Sequence, residues 1–163
     1  FTGAFEDNGI SLFLVLTYGN SLYGGGAPLT ETAMDAYANF ATEAVDRFGT
    51  DGTVYEVWNE WNIGAGGVSV DDRTAASYVE LLSTTYASVK AENPDAVIAG
   101  PVAAGLALTW LESFFAAGGL DYVDAVTFTR IPIPAVLWNC WIRSPRCVAS
   151  WPNMARKSRS SCP

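Results

Sequence analysis

Histidine is missing from all 163 residues, and cysteine occurs only three times, at Cys140, Cys147 and Cys162. Without histidine the common zinc ligand sets cannot be assembled, and the cysteine spacing fits neither a CxxC pair nor a zinc ribbon. No metal site, redox motif or cofactor is expected. No apolar run reaches the roughly 18 residues needed to cross a bilayer, so no membrane partner is expected. The chain starts at Phe1 with no basic-then-apolar leader, which gives no signal peptide and suggests a start inside something longer. The compartment stays open.

Acidic residues are absent from the last part of the chain. All 17 lie at or before Asp124, where only Arg47, Arg73 and Lys90 oppose them. From Arg130 onward there are six basic residues, all three cysteines, and five of the eight prolines. Such a break marks a boundary between an acidic body and a basic tail. The acidic body argues against nucleic acid, since phosphate binding needs clustered positive charge.

What is present is a globular composition, half hydrophobic and 13% aromatic. Residues 10–17 form an apolar run expected of a parallel strand buried on both faces. A glycine-rich loop, Tyr18 to Leu29, leads to a helix capped by Thr30 and running to about Phe48. Its core positions would be Ala33, Tyr37, Phe40, Ala41, Ala44 and Phe48. Thr53 to Trp58 reads as a second strand. Asp71 or Asp72 then starts a helix that must end near Asn93-Pro94. Ala96 to Gly100 is a third strand, 108–117 a helix stopped by Gly118-Gly119, and Val123 to Phe128 a fourth strand. Tyr78 and Tyr86, like Tyr37 and Phe40, stand at helical spacing and are expected in the core.

Strict alternation predicts an α/β fold with βαβ units, either a doubly wound sheet or a stretch of (β/α)8 barrel. No Gly-x-Gly-x-x-Gly follows a strand, and Gly24-Gly25-Gly26 lacks the lysine and serine of a phosphate loop. Nucleotide binding is therefore a poor reading.

The chemistry concentrates in Val54-Tyr55-Glu56-Val57-Trp58-Asn59-Glu60-Trp61-Asn62. With a period of two, Val54, Glu56, Trp58 and Glu60 would share one face if the strand runs that far. Glu60 would then stand at the strand's C-terminal end, where barrels carry their catalytic groups. Cleaving a glycosidic bond needs a carboxylic acid that protonates the leaving oxygen. Trp58 and Trp61 would give it low-dielectric surroundings and a stacking surface for a sugar ring. Against this stands the plain reading of an isolated strand-end glutamate as a solvated surface carboxylate. Glu56 lies about 13 Å deeper by strand rise, too far to be the second carboxylate of a retaining pair about 5 Å away. It reads as a buried structural charge in need of a partner. Tyr18, Asn20 and Tyr23 would line a sugar site or simply pack the loop.

Trp-Asn-Glu after Tyr-Glu-Val at a strand end resembles the acid/base signature of glycoside hydrolase clan A, most closely family 39. Leu14-Val-Leu-Thr-Tyr-Gly-Asn20 with Tyr23, Ala99-Gly-Pro101 and Asp124-Ala-Val-Thr-Phe128 fit that family in order. The resemblance implies a partial TIM barrel over residues 1–128, about strands three to six, followed by an irregular tail, 129–163. It implies Glu60 as general acid/base, Asn59 as the contact to the sugar 2-hydroxyl, and an oligo- or polysaccharide substrate. A polysaccharide substrate would favour a secreted parent enzyme. Trp61 stands where the family usually has proline, which puts the loop's shape in doubt. The family's nucleophile, at the end of its seventh strand, has no counterpart here, because nothing after Asp124 is acidic. The family's sixth strand commonly continues Phe-His-Pro-Tyr. Losing one base from codons for Phe-His-Pro-Tyr-Pro yields Phe-Thr-Arg-Ile-Pro, which is Phe128 to Pro132. Residues 129–163 are therefore expected to be frameshifted, against the rival of a true basic extension. Four strands of a barrel would leave edges open, to be closed by homo-oligomers or by tail residues Val136, Leu137, Trp138, Trp141 and Trp151.

Overall fold

A computed structural model describes residues 3–129, with the side chain of Glu6 excepted, and the backbone of 142–143. The expectations for the tail, its cysteines and its tryptophans lie outside the described residues, apart from Thr129 and that short piece of backbone. In chain order the elements are α1 (Gly3–Glu6), β1 (Leu12–Leu16), α2 (Glu31–Phe48), β2 (Thr53–Val57) and α3 (Ala75–Glu92). They continue with β3 (Val97–Ala99), β4 (Ala103–Ala104), α4 (Leu108–Ala116), β5 (Ala125–Val126), β6 (Phe128–Thr129) and β7 (Ile142–Arg143).

Strands β1, β2, β3 and β5 lie side by side and parallel, and β7 adds antiparallel to β5. A second, two-stranded ladder pairs β4 with β6. The expected fourth strand is thus split at Thr127. The third strand is likewise followed by a separate short strand past Pro101.

Helix starts follow side-chain chemistry. Thr30 accepts a hydrogen bond from the Ala33 amide at 3.3 Å, as expected of an N-cap. The next helix departs from expectation. Thr74, not Asp71 or Asp72, caps α3, accepting from the Ser77 amide at 3.1 Å. Asp72 instead accepts from the Ser69 hydroxyl within the loop, at 2.6 Å. At the far end, Lys90 in the last turn of α3 reaches Asp124 at 2.8 Å, and Asp124 accepts from the Ile98 amide at 2.9 Å. One lysine therefore ties a helix end to the start of β3 and to the approach of β5.

The helices choose between the two architectures. Leu16, Tyr55, Val57, Ile98 and Val126 meet Tyr37, Leu81, Leu82, Val89 and Phe114 in one core on one face of the sheet. Helix α3 packs against both α2 and α4. A doubly wound sheet would carry helices on both faces; a barrel wall carries them on one. The core expectation holds for Tyr37 and Tyr78, while Tyr86 is partly buried against that core. It does not hold for Phe40, which is 47% exposed. Phe40 sits at the rim of the α2 face, its ring 6.0 Å from Tyr37. No described helix is long and apolar enough to cross a membrane.

Candidate active site

Regular alternation along β2 stops at Val57. Trp58 has φ 62° and Glu60 has φ 48°, left-handed values that a bulky residue rarely adopts. Such conformations cost roughly 1–3 kcal/mol each and persist only where the surroundings dictate them. Here they do. The Trp58 amide donates to the Leu16 carbonyl at 3.2 Å and to the Tyr37 hydroxyl at 3.1 Å. The Tyr37 hydroxyl itself donates to the Leu16 carbonyl at 2.6 Å. The Glu60 carbonyl accepts from the amides of Ile63 and Ala65, closing the loop around the 3-10 turn Trp61–Ile63.

This break corrects the expectation that Trp58 shares a face with Glu56 and Glu60. Its ring swings into the helix-side core, 5.9 Å from Tyr37 and 5.8 Å from Trp61. Trp58 and Trp61 are 0% and 1% exposed. Their indole N–H groups donate to the carbonyls of Ala65 (2.9 Å) and Asp72 (2.7 Å). Neither offers a face on which a sugar ring could stack, so the stacking surface expected of them is not there. They shape the loop from beneath.

The two carboxylates each meet a threonine. Glu60, half-buried, accepts from the Thr129 hydroxyl at 2.7 Å. Glu56 is 5% exposed, and burial pushes its carboxyl up to about 7, eased by the nearby Thr127 hydroxyl. Thr127 Oγ1 is close enough to have that influence, yet it makes no bond of hydrogen-bonding geometry among the described residues. Among the described residues, the partner expected for Glu56 is thus at most this hydroxyl. Behind the strand, Tyr78 donates to the Val57 carbonyl at 2.9 Å. Burial first, then the neighbouring Tyr37 and Glu56, push its phenol far up, so it stays a neutral donor. Its hydroxyl would lie 2.3 Å from a Cβ at Gly100, which explains glycine there.

Asn59, beside Glu60, donates from Nδ2 to the Tyr18 hydroxyl at 3.0 Å. Tyr18 is 48% exposed, with its ring edge on Trp58 at 5.3 Å. Gly66 makes room for this pair: a Cβ on it would meet Tyr18 Cδ1 at 2.3 Å and Trp58 Cζ2 at 2.5 Å. Glu60, Asn59 and Tyr18 therefore gather at one strand end. Asn20 has a local task, its Oδ1 accepting from the Leu22 amide at 2.9 Å. Tyr23 lies in the same short turn and is 49% exposed. No three His, Cys, Asp or Glu side chains come together among the described residues.

Two contributors escaped the sequence reading. Asn62 braces the loop against β4, donating to the Ala104 carbonyl at 3.2 Å and accepting from the Ala104 amide at 2.8 Å. Thr129 touches Glu60, and its one sequence signal is the two-residue spacing from Thr127, which alternation turns to the same side.

Neither a protein-family model nor a curated protein matches the chain. Solved structures do. A family 39 glycoside hydrolase from the gut symbiont Bacteroides cellulosilyticus WH2 is 27% identical, with a TM-score of 0.57, over 77% of this chain and 26% of that one. A monomeric β-xylosidase from Caulobacter crescentus CB15 is 22% identical, with a TM-score of 0.58, over 88% of this chain and 33% of that one. The chain spans about a third of the length of these structures or less. One-sided helices on a parallel sheet, and coverage confined to part of each relative, make this chain an α/β segment of a (β/α)8 barrel that resembles the family 39 glycoside hydrolases.

Proposed function

We propose that this chain is part of a β-glycosidase or endoglycosidase that cleaves O-glycosidic bonds with Glu60 as general acid/base. The observation that carries the reading is the placement of Glu60 at the C-terminal end of β2, on a left-handed turn, with Asn59 and Tyr18 beside it. In this reading Glu60 protonates the leaving glycosidic oxygen and later takes a proton from the attacking water. Among the described residues, Asn59 has its carbonyl oxygen and one N–H left for a sugar hydroxyl while Tyr18 holds the amide in place. Tyr18 and Tyr23, each about half exposed, form the accessible aromatic surface, in place of the buried tryptophans. The substrate is an oligo- or polysaccharide, and the nucleophile of a two-step mechanism comes from outside these residues.

A second reading, a carbohydrate binder without turnover, is favoured by one observation: no acidic residue follows Asp124. Hydrolysis of a panel of chromogenic β-glycosides by this chain and by its Glu60→Gln variant separates the two. Turnover that the variant loses by about 100-fold or more supports the acid/base role. Equal rates at the buffer blank, with tryptophan fluorescence still responding to added glycans, support the binder.

A further inference from the structure

The Thr129 hydroxyl has two acceptors in reach and one proton to give. Glu60 Oε1 lies at 2.7 Å and the Ala103 carbonyl at 3.4 Å. The shorter contact is that of a strong charge-assisted bond and the longer one lies at the weak limit. The hydroxyl proton therefore belongs to Oε1. Position 129 is where the family resemblance leads one to expect histidine, so this contact is a feature of the present chain. It depends on geometry alone, whether Thr129 was inherited or arose by a change of frame.

We propose that Thr129 is a positioning residue that fixes the orientation of the Glu60 carboxyl through its bond to Oε1. The deduction rests on the acid/base reading of Glu60 above. A carboxyl oxygen that accepts a hydroxyl proton cannot also carry its own proton along the same line. A proton on Oε1 would instead reverse the 2.7 Å bond, Glu60 donating to the Thr129 hydroxyl and that hydroxyl to the Ala103 carbonyl at 3.4 Å. In either protonation state the 2.7 Å contact with β6 holds the carboxyl in one orientation. A half-buried glutamate has several rotamers and two equivalent oxygens; one bond to β6 removes the equivalence. The gain is orientational: a carboxyl already held in place needs no rearrangement when the leaving oxygen arrives.

The test needs no turnover to be decisive. Infrared spectra of the chain labelled with 13C in its glutamate side-chain carboxyls, minus those of Glu60→Gln, isolate the Glu60 bands in both protonation states. In the parent, hydrogen bonding with Thr129 sets both the carboxylate bands of the ionised form and the carbonyl band of the protonated form. Thr129→Val keeps the shape and removes the donor, so this band and the ionised carboxylate band both move. Thr129→Ser returns them, and Thr129→Ala takes the place of valine if that variant does not fold. Glu60 bands indifferent to valine in both protonation states overturn the proposal, because the contact would then be absent.

Turnover adds a second arm. Glycosides with poor leaving groups need the proton in the bond-breaking step, so Thr129→Val should lower their kcat/KM by roughly tenfold or more and that of activated aryl glycosides far less. An equal loss on both classes would also overturn the positioning role. Band shifts together with no hydrolysis by the parent would support the contact and favour the binder reading over turnover by this chain.

Discussion

The two faces of the parallel sheet are built by different rules. On the helix side, Tyr55, Val57 and Ile98 are 0% exposed and the aromatic rings of Tyr37, Trp58, Trp61 and Tyr78 interlock behind them. On the other side β2, β3 and β5 carry smaller or more polar groups, among them Val54, Glu56, Ala99 and Ala125. On the edge strand β1 that face carries Phe13 and Val15, which are 39% and 43% exposed. The helix side is thus a finished core. The opposite side is where a barrel would place its interior, and there a carboxylate and a hydroxyl, Glu56 and Thr127, meet without a bond of good geometry. The difference teaches where the fold draws its stability and where it leaves polar groups near the candidate site.

The largest effect should come from the finished side. Trp58→Ala removes a fully buried ring together with its bond to the Ala65 carbonyl. Large aromatic-to-alanine changes in cores cost about 3–5 kcal/mol. Urea unfolding followed by far-UV circular dichroism should show either that loss or a chain already unfolded in buffer. A change under about 1 kcal/mol would mean that the loop collapses into the space and that the two faces differ less than their burial implies.

Glu56→Gln tests the polar side and should act in the opposite direction. The carboxyl is raised from 4.5 to about 7 by burial, so the folded chain holds a proton that the unfolded chain releases between those values. The contribution of Glu56 to stability is therefore most favourable below about pH 4.5, falls as pH rises to about 7, and stays low above it. At about 1.4 kcal/mol per unit, the penalty above pH 7 is about 3.5 kcal/mol at most. The glutamine variant removes it, so urea midpoints should rise above pH 7 and converge with the parent near pH 4.5. A variant destabilised at pH 8 would show that Glu56 has a cationic partner, and one equally stabilised at both pH values would show that its proton does not set the penalty.

How much of this was legible in the sequence follows the same division. Element order, the cap at Thr30 and the stop at Asn93-Pro94 could be read because each depends on neighbours a few residues away. The start of α3 was misplaced because Asp71, Asp72 and Thr74 are all competent caps, and the loop's bond from Ser69 to Asp72 decided among them. The site was half legible. Glu60 and Asn59 announced themselves by motif, and Tyr18 does meet Asn59. The strand period, however, placed Trp58 on the wrong side. No local pattern reports that a tryptophan amide, anchored by Tyr37 some 21 residues earlier, will be held left-handed. Thr129 was missed for the same reason: its contact spans 69 positions, and only the assembled sheet brings it to Glu60.

The smallest expected effect sharpens the comparison most. Val15→Thr keeps the β-branch, the volume and the strand preference, and changes one methyl into a hydroxyl. On the helix side such a swap would bury an unsatisfied hydroxyl and cost about 1–3 kcal/mol. At Val15, on the edge strand and 43% exposed, it should stay within about 0.5 kcal/mol, as surface changes do. Urea midpoints measured across a range of chain concentrations decide the matter. A null effect at every concentration keeps this face open to solvent at its edge. A loss above about 1 kcal/mol that does not depend on concentration means that another part of the same chain packs over Val15. The same loss appearing only at high concentration means that a second copy does so, because an association that stabilises the folded state makes the midpoint depend on concentration.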